Sequence, residues 1–163
     1  MRNSGIPIGN YYDLDFKLVG TTQYVYLTGD KDFIYVTSNY GNTWETLNFR
    51  DSSQQLSDAR YYSTEIGNGD TLLTVGTFGL INKKVSPSTF TTYSNAARYG
   101  QANMYGVWAE NNYVWAVGQP TTATSYNQII FSTNAGESWS AQPTPSIADK
   151  IMLDIQMVNI STG

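Results

Sequence analysis

The 163-residue chain contains no cysteine and no histidine. Without cysteine there is no disulfide framework and no thiolate nucleophile, and the redox compartment stays open. Without histidine, neither a histidine-based triad nor a histidine zinc site can be assembled from this chain. Charge is scarce as well: 13% of residues against an ordinary share of about a quarter, with a formal net charge of -4. That balance argues against nucleic acid as a partner. No apolar run approaches the roughly 18 residues of a membrane-spanning helix, so no membrane insertion is expected. The opening residues, Met1 to Pro7, lack the apolar core of a signal peptide. Gly67-Asn68-Gly69 precedes a strand-like run rather than a helix, so it is no phosphate loop. Neither a cofactor nor a metal is expected.

What the chain has is tyrosine, threonine, serine and asparagine. Thirteen tyrosines and 40% hydrophobic residues, set among polar turns, favour strands over helices. One eight-residue stretch occurs twice: Thr37-Ser38-Asn39-Tyr40-Gly41-Asn42-Thr43-Trp44 and Ser132-Thr133-Asn134-Ala135-Gly136-Glu137-Ser138-Trp139. Each copy follows an apolar run, Phe33 to Val36 or Ile129 to Phe131. Each reads as a hairpin. Asn39 and Asn134 tolerate left-handed backbone, and Gly41 and Gly136 supply positive φ. The hydroxyls of Ser38, Thr43, Ser132 and Ser138 can bond locally. Trp44 and Trp139 open the return strand and require apolar pockets.

The two tryptophans are 95 residues apart, too far for one repeat and right for two. A second marker fills the gap. Alternating runs end in Gly29, Gly76 and Gly118, spaced 47 and then 42 residues apart. A third marker, Leu14-Asp15-Phe16-Lys17-Leu18-Val19, returns as Leu153-Asp154-Ile155-Gln156-Met157-Val158, 139 residues later. A period in the forties with four short strands per unit predicts β-propeller blades. The chain then reads as an all-β partial propeller of three four-stranded antiparallel blades, about 13–48, 61–93 and 104–141. The first strand of a fourth opens at 151–163. The middle blade has lost its turn motif, and Phe90 stands where the tryptophan would be. Residues 49–60, 119–127 and 143–149 read as polar connections. Because three blades and one strand do not close a ring, the chain is expected to be a piece of a longer protein. The alternative is a self-contained β-sandwich.

The repeated motif resembles the Asp-box, or BNR repeat, with asparagine in place of the usual aspartate at 39 and 134. In that family the box joins the two outer strands of a propeller blade and is a folding device, remote from active sites. Asp-box propellers include sialidases. The resemblance therefore implies a possible glycoside hydrolase, which would need a carboxylate pair. Asp15 and Asp154, matched on innermost strands, form the best available pair. The sialidase arginine motif is absent, since Ser4-Gly5-Ile6-Pro7 puts Gly5 where its arginine would be. Trp115-Ala116-Val117-Gly118 is similar to a segment of photosystem II assembly and stability factor-like propellers. That resemblance implies a non-catalytic binding or assembly module with a protein or carbohydrate ligand. Secreted, cell-surface and phage structural proteins carry similar repeats, so an extracellular or virion setting is favoured. Tyr62, Tyr105 and Trp108, at inner-strand starts, are the aromatic candidates for a ligand contact. The remaining blades of a parent chain are the other expected partner.

Overall fold

The computed structural model describes residues 5–30, 33–48, 59–86, 89–94, 103–119, 129–143 and 150–159. Among these residues twelve strands form three four-stranded sheets. The first sheet holds β1 (Tyr11–Val19), β2 (Thr22–Gly29), β3 (Phe33–Thr37) and β4 (Glu45–Asn48). The second holds β5 (Tyr61–Ile66), β6 (Leu72–Gly76), β7 (Leu80–Ser86) and β8 (Thr89–Ser94). The third holds β9 (Met104–Glu110), β10 (Tyr113–Gly118), β11 (Ile129–Ser132) and β12 (Ser140–Ala141). Every sheet is an antiparallel meander in chain order. The three four-stranded units expected from the sequence are present as these sheets. The side chain of Phe90, on β8, lies outside the described residues, as do most of the predicted polar connections.

The sheets pack face to face, with the first strands β1, β5 and β9 side by side. Alternation along each strand sends one set of side chains to each neighbouring sheet. Ile34, Tyr61, Leu72 and Leu80, with Tyr26, Leu47 and Ile66, fill the gap between sheets one and two. Leu73, Val75, Ile81, Val107, Val114, Ala116, Ile130 and Trp139 fill the gap between sheets two and three. The middle sheet is buried on both faces, which is why β6 is buried along its whole length.

Residues 150–157 differ from the strand expected there. They run beside β9, where a Cβ on Gly106 would come within 2.9 Å of Asp154 Cα, but they carry no ladder. A first strand is defined by pairing with the second strand of its own sheet, and no such strand lies among the described residues.

The hydroxyl and asparagine bonds of the two turn motifs match. The Thr37 hydroxyl donates to Asn39 Oδ1 at 2.9 Å and accepts from the N–H of Asn39 and Gly41 at 3.3 and 3.1 Å. Ser132 does the same with Asn134 and Gly136, at 2.9, 3.3 and 2.9 Å. Asn39 Oδ1 accepts the Thr43 N–H at 2.9 Å, and Asn134 Oδ1 accepts the Ser138 N–H at 2.9 Å. The amide N–H groups of Asn39 and Asn134 donate to the Thr43 and Ser138 hydroxyls at 2.7 and 2.9 Å. Asparagine thus uses both ends of its amide, which accounts for its presence without any need for a charge. The serine at 38 is exposed, and the bonding hydroxyl is that of Thr37. The left-handed residues are Tyr40 and Gly41 in one motif and Ala135 and Gly136 in the other, so Asn39 and Asn134 are not the left-handed ones.

The tryptophans part company. Trp139 is buried, whereas Trp44 is only half-buried. The third-sheet motif lies against sheet two: a Cβ on Gly136 would meet Leu73 Cδ2 at 3.1 Å, and Lys83 Nζ pairs with Glu137 at 2.5 Å. No sheet among the described residues stands in that relation to Trp44.

Candidate functional site

The first strand of each sheet carries the same irregularity near its start. Pairing skips from Tyr11 to Asp13 on β1, from Tyr61 to Ser63 on β5, and from Met104 to Gly106 on β9. The residue left over in each bulge is a tyrosine: Tyr12, Tyr62 and Tyr105. Opposite the bulges lie Gly29, Gly76 and Gly118. A Cβ at these glycines would sit 2.3 Å from Asn10 O, 2.0 Å from Arg60 O and 2.2 Å from Asn103 O. The three periodic glycines are therefore fixed by close backbone approach, not by a left-handed conformation. The residue after each glycine closes the approach with an N–H bond: Asp30 to Asn10 O at 3.0 Å, Thr77 to Arg60 O at 3.0 Å, and Gln119 to Asn103 O at 2.9 Å.

A bulge re-aims its side chain. Here three bulges bring three tyrosines into one row. Ring centroids are 5.1 Å apart from Tyr12 to Tyr62 and 4.8 Å apart from Tyr62 to Tyr105. A polar rim surrounds the row. The Tyr12 hydroxyl donates to Asp30 at 2.7 Å, and Asn10 Nδ2 donates to the same carboxylate at 2.8 Å. Arg60 Nε pairs with Asp30 at 3.2 Å, and the guanidinium also bonds Tyr62. At the other end the Tyr105 hydroxyl donates to Gln119 Oε1 at 3.2 Å and accepts from Asn103 Nδ2 at 3.3 Å. The Tyr12 bond, then Asn10 and Arg60, hold the Asp30 carboxyl below its ordinary range. Burial and the Asp30 bond push the Tyr12 phenol above its own. Asp30 and Arg60 offset each other, so the face is aromatic, amide-rich and close to neutral. It offers stacking surface and hydrogen bonds.

The carboxylates do something else. β1, β5 and β9 are edge strands, each with backbone N–H groups that no ladder satisfies. Asp13 accepts its neighbour's N–H, from Leu14, at 2.8 Å with one oxygen, and Ser63 Oγ and Thr64 N at 2.9 Å each with the other. Asp15 accepts Phe16 N at 2.7 Å and Ile66 N at 2.8 Å. One sheet on, Ser63 Oγ accepts Val107 N at 3.3 Å and Glu65 accepts Ala109 N. β1 thus caps the free edge of β5, and β5 that of β9. Asp154 repeats the first half of this device, accepting Ile155 N at 2.8 Å.

Asp15 therefore lies on a first strand, with both oxygens engaged by backbone. Asp154 lies in the unpaired segment beside β9, and no contact joins the two among the described residues. Trp108 packs on Trp115 at 5.5 Å, in a group with Phe131 and Tyr113 on the face of sheet three away from sheet two. It is separate from the tyrosine row. Tyr62 and Tyr105 are in the row. Asp30, Arg60, Asn103 and Gln119 were not legible as site residues. Their one sequence signal is position, directly after a periodic glycine or two residues before a bulge tyrosine.

Burial, then the nearby Asp15 and Asp13 charges, push the Glu65 carboxyl up to about 7, against an ordinary 4.5. A raised acid pKa means that the folded chain holds this proton more tightly than the unfolded chain. Its contribution is complete below the unfolded pKa and is lost as pH rises through about 7. Melting temperature is expected to fall between pH 5 and 8, and Glu65→Gln to flatten that fall; an unchanged slope in the variant counts against the assignment.

No family model and no curated protein matches the sequence. Solved structures do match. The chain is similar to YCF48 from Cyanidioschyzon merolae, with a TM-score of 0.62, 18% identity, and coverage of 82% of this chain and 39% of that one. It is also similar to YCF48 bound to D1 peptide, with a TM-score of 0.56, 16% identity and the same coverages of 82% and 39%. The likeness establishes the fold, a partial β-propeller. The chain corresponds to about 39% of the length of these structures.

Proposed function

We propose that this chain is a non-catalytic binding or assembly module of the propeller type, and that it binds a protein segment through the row Tyr12, Tyr62 and Tyr105. The row itself carries the proposal. Three blades spend a bulge each to place one aromatic ring beside the next, with amide and hydroxyl groups at the rim. Tyrosine supplies large contact area at low entropic cost, together with a polar tip. The near-neutral rim suits an uncharged or mixed ligand. A protein ligand is preferred to a carbohydrate because one solved structure of similar fold is YCF48 bound to a D1 peptide. The two matched turn motifs support an Asp-box reading of the blades, in which they hold the outer strands and take no part in binding. The engagement of Asp15 by two backbone N–H groups speaks against its use in glycoside hydrolysis.

The test is an array of short peptides alongside an array of neutral and acidic glycans, each probed with the chain and with Tyr62→Ala. Peptide binding weakened tenfold or more by Tyr62→Ala, with Trp108→Ala as control, supports the proposal. Binding confined to glycans replaces the ligand class. Binding that is indifferent to Tyr62 removes the row from the site.

A further inference from the structure

Sheet two carries a buried polar pair that neither neighbouring sheet has. Thr74 on β6 and Asn82 on β7 are ladder partners, directly opposite each other. Both are 0% exposed. Alternation puts them on the face that carries Leu72 and Leu80, toward sheet one. Thr64, the ladder partner of Thr74 on β5, extends the row and is buried as well. Its hydroxyl is engaged, donating to Leu73 O at 3.3 Å. Thr74 Oγ1, Asn82 Oδ1 and Asn82 Nδ2 have no hydrogen-bond partner among the described residues.

The fold does not require polar residues at these two positions. Counted back from the periodic glycines, Thr74 corresponds to Ala116 in sheet three and Leu27 in sheet one. Their ladder partners, in the place of Asn82, are Ile130 and Tyr35. Ala116 and Ile130 fill the equivalent gap between sheets two and three with hydrocarbon, at 0% and 1% exposed. A buried hydroxyl or amide that makes no hydrogen bond bears its whole desolvation cost. Three such atoms stand together here, on residues whose Cβ atoms, as cross-strand partners, lie about 4.5–5.5 Å apart. One water molecule spans that separation. It donates to Oδ1, accepts from Nδ2 and does either with the hydroxyl. Internal water is held where about two to four polar groups converge, and these side chains supply them.

We infer that Thr74 and Asn82 form an internal water site. At least one ordered water lies in the gap between sheets one and two and bridges the Thr74 hydroxyl to the Asn82 amide. It is a fixed part of the packing between these sheets, which lets a polar pair stand where sheet three has alanine and isoleucine. With both side chains shut off from solvent, the water leaves only when the two sheets part locally. Its residence time therefore reports that opening.

Magnetic relaxation dispersion of water oxygen, which counts long-lived internal waters, is the test. It is measured on the 163-residue chain and on Thr74→Val, Asn82→Leu and the double variant, with urea unfolding alongside. Wild type is expected to hold at least one long-lived water more than the double variant. Each single substitution strands the other side chain, so each single variant is expected to unfold at lower urea, and the double variant to recover part of that loss. Equal water counts in wild type and double variant overturn the inference. That is also the result if Asn82 bonds directly to Thr92, its ladder partner on β8. Thr74→Val keeps the side-chain shape and is expected to fold. Should the double variant not fold, Thr74→Val alone carries the comparison, and a count equal to that of wild type overturns the bridge. Neither result bears on the tyrosine row, which is tested by peptide binding.

Discussion

Replacing Gly76 by alanine is expected to cost about 4 kcal/mol or more, in the range where a small domain ceases to fold cooperatively. The added methyl would sit 2.0 Å from the carbonyl oxygen of Arg60 and 3.0 Å from its carbon. Both are backbone atoms at the mouth of a bulge, tied by the Thr77 N–H bond to the same oxygen at 3.0 Å, so neither can swing aside as a side chain would. Relief requires β5 and β6 to separate at their junction, in the sheet that is buried on both faces. Gly69 provides the control. It has φ +64°, and an added methyl there would have nothing within 4 Å, so Gly69→Ala meets only the left-handed penalty of about 1–2 kcal/mol. Urea unfolding of the two variants measures the contrast. A Gly76→Ala protein as stable as Gly69→Ala would show that the close approach does not constrain the fold.

The second large effect separates two residues that the sequence presents as equals. Trp139→Ala is expected to cost about 3–5 kcal/mol, the usual range for deleting a buried aromatic. Its ring is 5% exposed, packs with Leu73, Val75 and Ile81 of the neighbouring sheet, and donates its indole N–H to Gly136 O at 3.1 Å. Trp44→Ala is expected to cost clearly less. Half-buried against Gly41, it has no neighbouring sheet over it among the described residues, so less apolar area returns to water and less cavity is left behind. Chemical denaturation midpoints of the two variants decide the matter, and equal losses would mean that the pocket around Trp139 owes nothing to sheet two.

Local pattern carried far in this chain. Alternation along the strands, glycine spacing and the duplicated turn motif defined three four-stranded antiparallel units. Those signals are local, since a hairpin is set by residues a few positions apart and strand alternation has a fixed period. The bulges were not legible. A bulge shifts pairing by one residue against a partner strand, and nothing in Tyr11-Tyr12-Asp13 or Tyr61-Tyr62-Ser63 says which tyrosine is squeezed out. Asp15 and Asp154 were legible as a matched pair of frames, and their backbone surroundings were not.

The sequence by itself determined the architecture: an all-β repeat of four-stranded units, turns with left-handed glycines, and chemistry that excludes thiol and imidazole. Only the tertiary structure decided what the repeated residues do. It turned three periodic glycines into points of backbone contact, because a missing Cβ matters only once a second chain segment comes within about 2 Å. It gathered Tyr12, Tyr62 and Tyr105, drawn from three blades, into one row. It assigned Asp13, Asp15 and Glu65 to the free edges of neighbouring strands, since an edge N–H buried between sheets must find an acceptor or bear the cost of desolvation. And it made Trp139 a core residue and left Trp44 half-buried, because burial belongs to the sheet that lies against a residue and not to the motif that contains it.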